Sequence, residues 1–100
     1  METLQAMLAQ DPRNSFTRYA LAMEHVNSGR LDEAVTQFDE LIRNDPNYAA
    51  AYFHGGQALE KLGRVDDART MYQAGIDVTS RAGDAHARSE LQAALDMLPT

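Results

Sequence analysis

The run Gly29-Arg30-Leu31-Asp32-Glu33-Ala34 returns as Gly63-Arg64-Val65-Asp66-Asp67-Ala68, 34 residues later. A repeat of this kind constrains the fold sharply. Each copy must follow one plan, and a unit this short buries its apolar face only by stacking on its neighbour. The match extends beyond the run itself. Laying residues 11–44 over 45–78 pairs Asp11 with Asp45, Pro12 with Pro46, Thr36 with Thr70 and Ile42 with Ile76. Similar pairs fill the intervals: Tyr19 with Phe53, Leu31 with Val65, and Phe38 with Tyr72.

Each unit reads as two helices. In the first, Asp11-Pro12 stops whatever precedes it, and Asn14 or Ser15 can cap a helix over residues 15–28. Phe16, Tyr19, Ala20, Met23 and Val26 recur at helical spacing, and Leu21, Ala22 and His25 form a second stripe. Two stripes imply a helix packed between two neighbours. Gly29 suits the left-handed turn that ends it. Asp32 is then expected to cap a second helix ending at Arg43, with Asp32 and Glu33 at its positive end and Arg43 at its negative end. Ala34, Val35, Phe38, Leu41 and Ile42 form its apolar stripe, and Pro46 closes the unit. The repeated run is thus a hairpin hinge. Gly makes the turn, Leu31 or Val65 plugs it, and Ala34 or Ala68 lets the two helices approach closely.

The period and hinge resemble the tetratricopeptide repeat family, whose pattern is W-x2-L-G-x2-Y, then A-x3-F, then P. Those places hold Arg18, Leu21, Ala22, His25, Ala34, Phe38 and Pro46 in the first unit. In the second they hold Tyr52, Gly55, Gly56, Leu59, Ala68, Tyr72 and Ser80. Arg18 and His25 depart from the large aromatic places, and Gly55 and Gly75 replace larger apolar residues. The resemblance covers Asp11 to about Ala82. It implies an all-α fold, an α-solenoid of antiparallel helix pairs.

The ends complete the expected organisation of residues 1–100 as one domain. Residues 1–10 look like the second helix of a preceding unit, with Leu4, Met7 and Leu8 where Phe38, Leu41 and Ile42 stand one period later. This orphan helix either caps the stack or awaits a partner from a longer parent chain or a second copy. Residues 11–44 and 45–82 are the two full units. Residues 84–98 are a capping helix, started by Asp84, with Ala87, Leu91, Ala94, Leu95 and Leu98 on one face and Arg88, Ser89, Gln92 and Asp96 on the other.

Composition narrows the function. The chain has no cysteine, which removes disulfides, thiolate metal sites and a cysteine nucleophile. Its formal net charge of −6 is the wrong sign for phosphate binding, so no nucleic-acid partner is expected. Nothing reads as a signal peptide or a membrane span, and a cytoplasmic location is expected. Arg outnumbers Lys 8 to 1, a bias that suits a GC-rich or salt-adapted bacterial source.

No set of residues reads as catalytic, and neither metal nor cofactor is expected. His25 lies where the family packs an aromatic, which favours a structural role. His86 stands near a helix start, and no two histidines share ligand spacing. Asp32-Glu33 and Asp66-Asp67 are explained as helix-start charges, and Asp39-Glu40 is expected to face solvent. Gly55-Gly56 lies mid-helix rather than in a phosphate loop.

Binding is therefore the expected activity, with a protein or peptide as partner. By family resemblance, one stripe of each first helix faces a concave groove. In the first unit that stripe is Phe16, Tyr19, Met23 and Val26, with Asn27 at the rim. In the second it is Ala50, Phe53, Gln57 and Glu60, with Lys61 at the rim and His54 beside the stripe. Since Leu21, Ala22, Ala58 and Leu59 already supply a core, Tyr19 and Phe53 read as surplus aromatics available to a ligand. The opposing reading is that both rings are core. One subgroup of the family that the chain resembles grips a C-terminal carboxylate with a clamp of Lys, Asn and Arg. Here its places hold Tyr19, Met23 and His54, so the expected ligand is less charged or recognised through apolar side chains. The alternative is a structural or self-association segment of a larger protein, a homo-oligomer that forms a homodimer through the exposed apolar stripe or the orphan helix.

Overall fold

In the computed structural model, which describes residues 3–99, six helices follow one another and the described residues contain no strand. They are α1 (Leu4–Gln10), α2 (Ser15–Asn27), α3 (Leu31–Asn44), α4 (Ala49–Lys61), α5 (Val65–Ala82) and α6 (Ala85–Asp96). Each packs on the next in chain order, and α4 also touches α6. The connections are too short for anything but antiparallel neighbours. The all-α solenoid expected from the repeat is what forms, drawn out to 43 × 30 × 18 Å.

The hinges have a common geometry. Gly29 and Gly63 take φ of 76° and 79°, a region that costs an L-residue about 1–2 kcal/mol. The following amide reaches back across each turn, Arg30 N–H to the His25 carbonyl and Arg64 N–H to the Leu59 carbonyl, both at 2.9 Å. Carbonyls at the helix end are thereby satisfied. Asn14, not Ser15, caps α2: its Oδ1 accepts from the Thr17 amide at 3.0 Å. Ser15 instead donates to Asp45 at 2.9 Å, tying the start of α2 to the turn between α3 and α4. Asp84 caps α6 through the Ala87 amide at 3.1 Å.

Asp32 does not cap α3, nor Asp66 α5. Those helices begin one residue earlier, at Leu31 and Val65. Arg30 and Arg64 occupy the cap positions without side-chain cap bonds. The hinge amide bonds already draw the chain into helix there. The acids sit within the first turn and act through charge alone.

The core runs along the stack as two linked clusters. One joins Ala22, Ala34, Phe38, Leu41 and Ala51. The other includes Val35, Tyr52, Leu59, Tyr72, Ile76, Leu91 and Leu98. At the places where the family carries a large aromatic, two polar residues act as ties. Arg18 donates to Gln37 at 2.9 Å and to the Pro12 carbonyl at 3.1 Å, joining α2 to α3. His25 is buried, and its Nδ1 accepts from Arg30 Nε at 3.3 Å. Its position at the hinge matches the structural role expected of it. None of the α1 residues is buried; Leu4 and Leu8 are half-buried and Met7 is exposed.

Candidate binding groove

The first helix of each pair lies on one face of the stack, and α6 joins α2 and α4 there. Its position follows from a break in the period. Helix α4 begins 34 residues after α2, but α6 begins 36 residues after α4, because α5 has 18 residues where α3 has 14. The shift places Ala87, Leu91, Leu95 and Leu98 of the α6 segment as counterparts of Ala51, Gly55, Leu59 and Leu62. It places Glu90, Ala93 and Met97 as counterparts of His54, Gln57 and Lys61.

Two open cavities result between α4 and α6. The first, about 390 Å³, is lined by Ala49, Ala50, Phe53, His54, Ala87, Glu90 and Leu91. The second, about 490 Å³, is lined by Phe53, Gln57, Glu60, Tyr72, Glu90, Ala93, Ala94 and Met97. Phe53 and Glu90 belong to both, so the two form one trough with Phe53 as a ridge across it. Met97 stands at its end with 85% of its surface exposed.

The expectation of surplus aromatics is corrected here. Tyr19 and Phe53 are both half-buried. The Tyr19 ring lies 6.4 Å from Phe38, 5.6 Å from Tyr48 and 5.8 Å from His54. Phe53 meets His54 edge-on at 5.2 Å and Tyr72 at 6.5 Å. Each ring is therefore partly core, and of the two only Phe53 lines the trough. Met23 and Val26 also pack against the core, half-buried. Phe16, by contrast, is 70% exposed.

Of the residues expected to line a groove, Ala50, Phe53, His54, Gln57 and Glu60 are brought together in this trough. Phe16, Tyr19, Met23, Val26, Asn27 and Lys61 line neither cavity. Tyr19 joins the face only through His54. The α6 contribution of Glu90, Ala93, Ala94 and Met97 was missed, because a constant 34-residue period sets α6 out of phase. Aligning its apolar stripe on that of α4 is the signal that could have found it.

Burial also sets the protonation of the lining. It pushes the Tyr72 phenol well above its ordinary range, reinforced by the hydrogen bond and charge of Glu60. Tyr72 therefore stays protonated and donates to Glu60. His54 is pushed down by burial, which outweighs the hydrogen bond its ring donates to Gln57 and the charge of Glu90; Lys61 pushes the same way as burial. The folded chain thus resists protonating an imidazole that the unfolded chain protonates near about pH 6.5. The contribution is intact above that value and is lost as pH falls below it, toward the lowered folded value. The expected result is a lower melting temperature at about pH 5 than at about pH 7.5, with a smaller difference in His54→Gln. Equal pH dependence in both proteins would refute the assignment.

No group of three or more His, Cys, Asp or Glu able to hold a metal occurs among the described residues. No helix among them is long and apolar enough to cross a membrane.

A family model described as tetratricopeptide repeat matches residues 19–85. The chain belongs to the tetratricopeptide repeat family. A tetratricopeptide repeat domain from Salinibacter ruber, solved by NMR, is 44% identical with a TM-score of 0.80, covering 85% of this chain and 86% of that one. A tetratricopeptide-repeat-containing protein of Pseudomonas aeruginosa is 26% identical over 91% of this chain and 87% of its own. The crystal structure of PcrH in complex with the chaperone binding region of PopD superposes with a TM-score of 0.86 at 17% identity. That likeness covers 93% of this chain and 71% of the other, and at this identity it speaks for the repeat fold alone.

Proposed function

We propose that this tetratricopeptide repeat chain is a non-catalytic protein-interaction module that takes a peptide or a partner helix on the α2–α4–α6 face. The observation that carries the reading is the trough between α4 and α6. It is open and largely apolar, built on a ridge of Phe53 with Ala93, Ala94 and Met97, and carries exposed Gln57 and Glu90 as polar groups in its lining. An apolar channel with a polar edge is the surface that extended peptides and amphipathic helices bury. PcrH, which shares the fold, was crystallised with a segment of another protein, and that agrees with the reading.

The test uses a displayed library of random peptides about a dozen residues long, selected against the whole chain. Ala93→Trp fills the trough from an exposed position without adding charge. Selected peptides should bind this variant at least about tenfold more weakly, a loss of about 1.4 kcal/mol. Peptides that bind wild type and Ala93→Trp alike would dock elsewhere and overturn the reading.

A second reading is self-association. Phe16 is largely exposed on α2, and α1 buries none of its residues. Light scattering over a hundredfold concentration range separates the two readings. A mass holding near 11.1 kDa favours a free groove, and a mass rising to about twice that value favours assembly.

A further inference from the structure

The charges along the trough narrow its ligand, an inference that rests on the groove reading above. The apolar part of the larger cavity's lining is Phe53, Ala93, Ala94 and the exposed Met97. Its two acidic residues are Glu60 from α4 and Glu90 from α6. Glu60 is half-buried and fixed in place by the Tyr72 hydroxyl. Glu90 is shared with the smaller cavity, so it stands over both halves of the trough. No lysine or arginine lines either cavity. Lys61, next to Glu60 in sequence, is exposed and outside the lining, while His54 is held neutral by its burial. On the outer side of Glu90, His86 Nε2 lies 3.0 Å from its carboxylate; both side chains are exposed, so the contact is weak and easily displaced.

We propose that the α4–α6 trough takes a basic, apolar segment of a partner protein, with an Arg or Lys head at Glu60 and Glu90 and an apolar side chain over Phe53 and Met97. Charge complementarity is the argument. Two carboxylates on opposite helices with apolar ground between them match a side chain that has a long apolar stem and a cationic tip. A charge-assisted hydrogen bond at a half-buried carboxylate is stronger than a neutral one. An acidic segment would place like charges together and lose affinity.

The experiment uses three fluorescent synthetic peptides on one leucine framework, carrying Arg, Gln or Glu at the same places. Each is titrated by anisotropy into wild type and into the Glu60→Gln/Glu90→Gln variant. Gln keeps an acceptor for Tyr72. The Arg peptide should bind wild type roughly tenfold tighter than the Gln peptide, and the Glu peptide should be weakest. The Arg advantage should shrink to about threefold or less in the double variant and decline as salt is added. Should the double variant fold poorly, Glu90→Gln alone must still reduce the advantage, since that carboxylate is exposed.

If the Gln peptide binds wild type as tightly as the Arg peptide, the inference fails and the groove reading stands. If the Arg advantage survives both substitutions, the basic segment docks elsewhere and the inference fails. If no peptide binds, the inference fails, and the groove reading is judged on the Ala93→Trp library result alone. A dimer that dissociates on Glu60→Gln/Glu90→Gln would mean that a second copy fills the trough, overturning the partner assignment.

Discussion

Phe38→Ala should cost about 3–5 kcal/mol, among the largest effects of any single substitution here. The ring is fully buried on α3. It stands where three helices meet, with Tyr19 of α2 on one side and the close-approach surface of Gly55 on α4 on the other. No side chain from outside the stack can flow into the space, because a solenoid unit touches only its neighbours. A domain of this size holds about 5–15 kcal/mol in total, so the variant would sit near the edge of folding. Urea unfolding should show a much lower midpoint with little change in slope. The damage should also reach the groove. Tyr19 rests against Phe38 and in turn against His54, so the α2 side of the face loses its support. A loss under about 1 kcal/mol would mean that the three-helix junction is looser than its burial indicates.

Gly56→Val should cost about 3 kcal/mol, although helix propensity alone favours Val over Gly by a few tenths. The two arguments have opposite signs, and distance decides between them. A Cβ at Gly56 would lie 2.2 Å from Cε1 of Tyr72 and 2.6 Å from its Cζ. Tyr72 has little freedom to yield. Its ring is fully buried, and its hydroxyl is bonded to Glu60. Either the ring leaves its place or α4 and α5 separate. Gly55 provides the control on the same helix. A Cβ there meets Phe38 Cβ at 3.3 Å and the flexible end of Met71 at 3.4 Å, so Gly55→Ala should change stability little. Comparable costs for the two substitutions would contradict the geometry. Glu60 is held by Tyr72, so Gly56→Val should also displace one of the two carboxylates proposed to receive a basic ligand.

The sequence carries much of this molecule because its information is periodic and local. The hinge at Gly29 and Gly63 needs only a left-handed residue. The caps at Asn14 and Asp84 need only a side-chain acceptor three residues before an amide. Neither depends on what lies across the stack. The same locality explains the error at Asp32 and Asp66: acids at a helix start suit both the cap and the first turn, and the exact start depends on how the hinge closes. The aromatics show the limit more clearly. Tyr19 and Phe53 follow the 34-residue period, but burial is a property of neighbours in space. The rings that half-cover them come from Phe38, Tyr48, His54 and Tyr72, contributed by three helices and the turn before α4.

From sequence alone came an all-α stack of helix pairs, its hinges, and the spacing that puts Ala50, Phe53, Gln57 and Glu60 on one side of α4, because spacing along one chain sets which residues share a helix face. The tertiary structure decided the rest of the groove. The added length of α5 changes the spacing to 36 residues, and only the packing of Leu91 and Leu98 against the core determines how α6 is turned. That rotation brings Glu90 and Met97 to the trough beside Glu60 and Phe53, residues some thirty or more positions away. A constant repeat cannot foresee such a juxtaposition, because it depends on where the core holds the last helix.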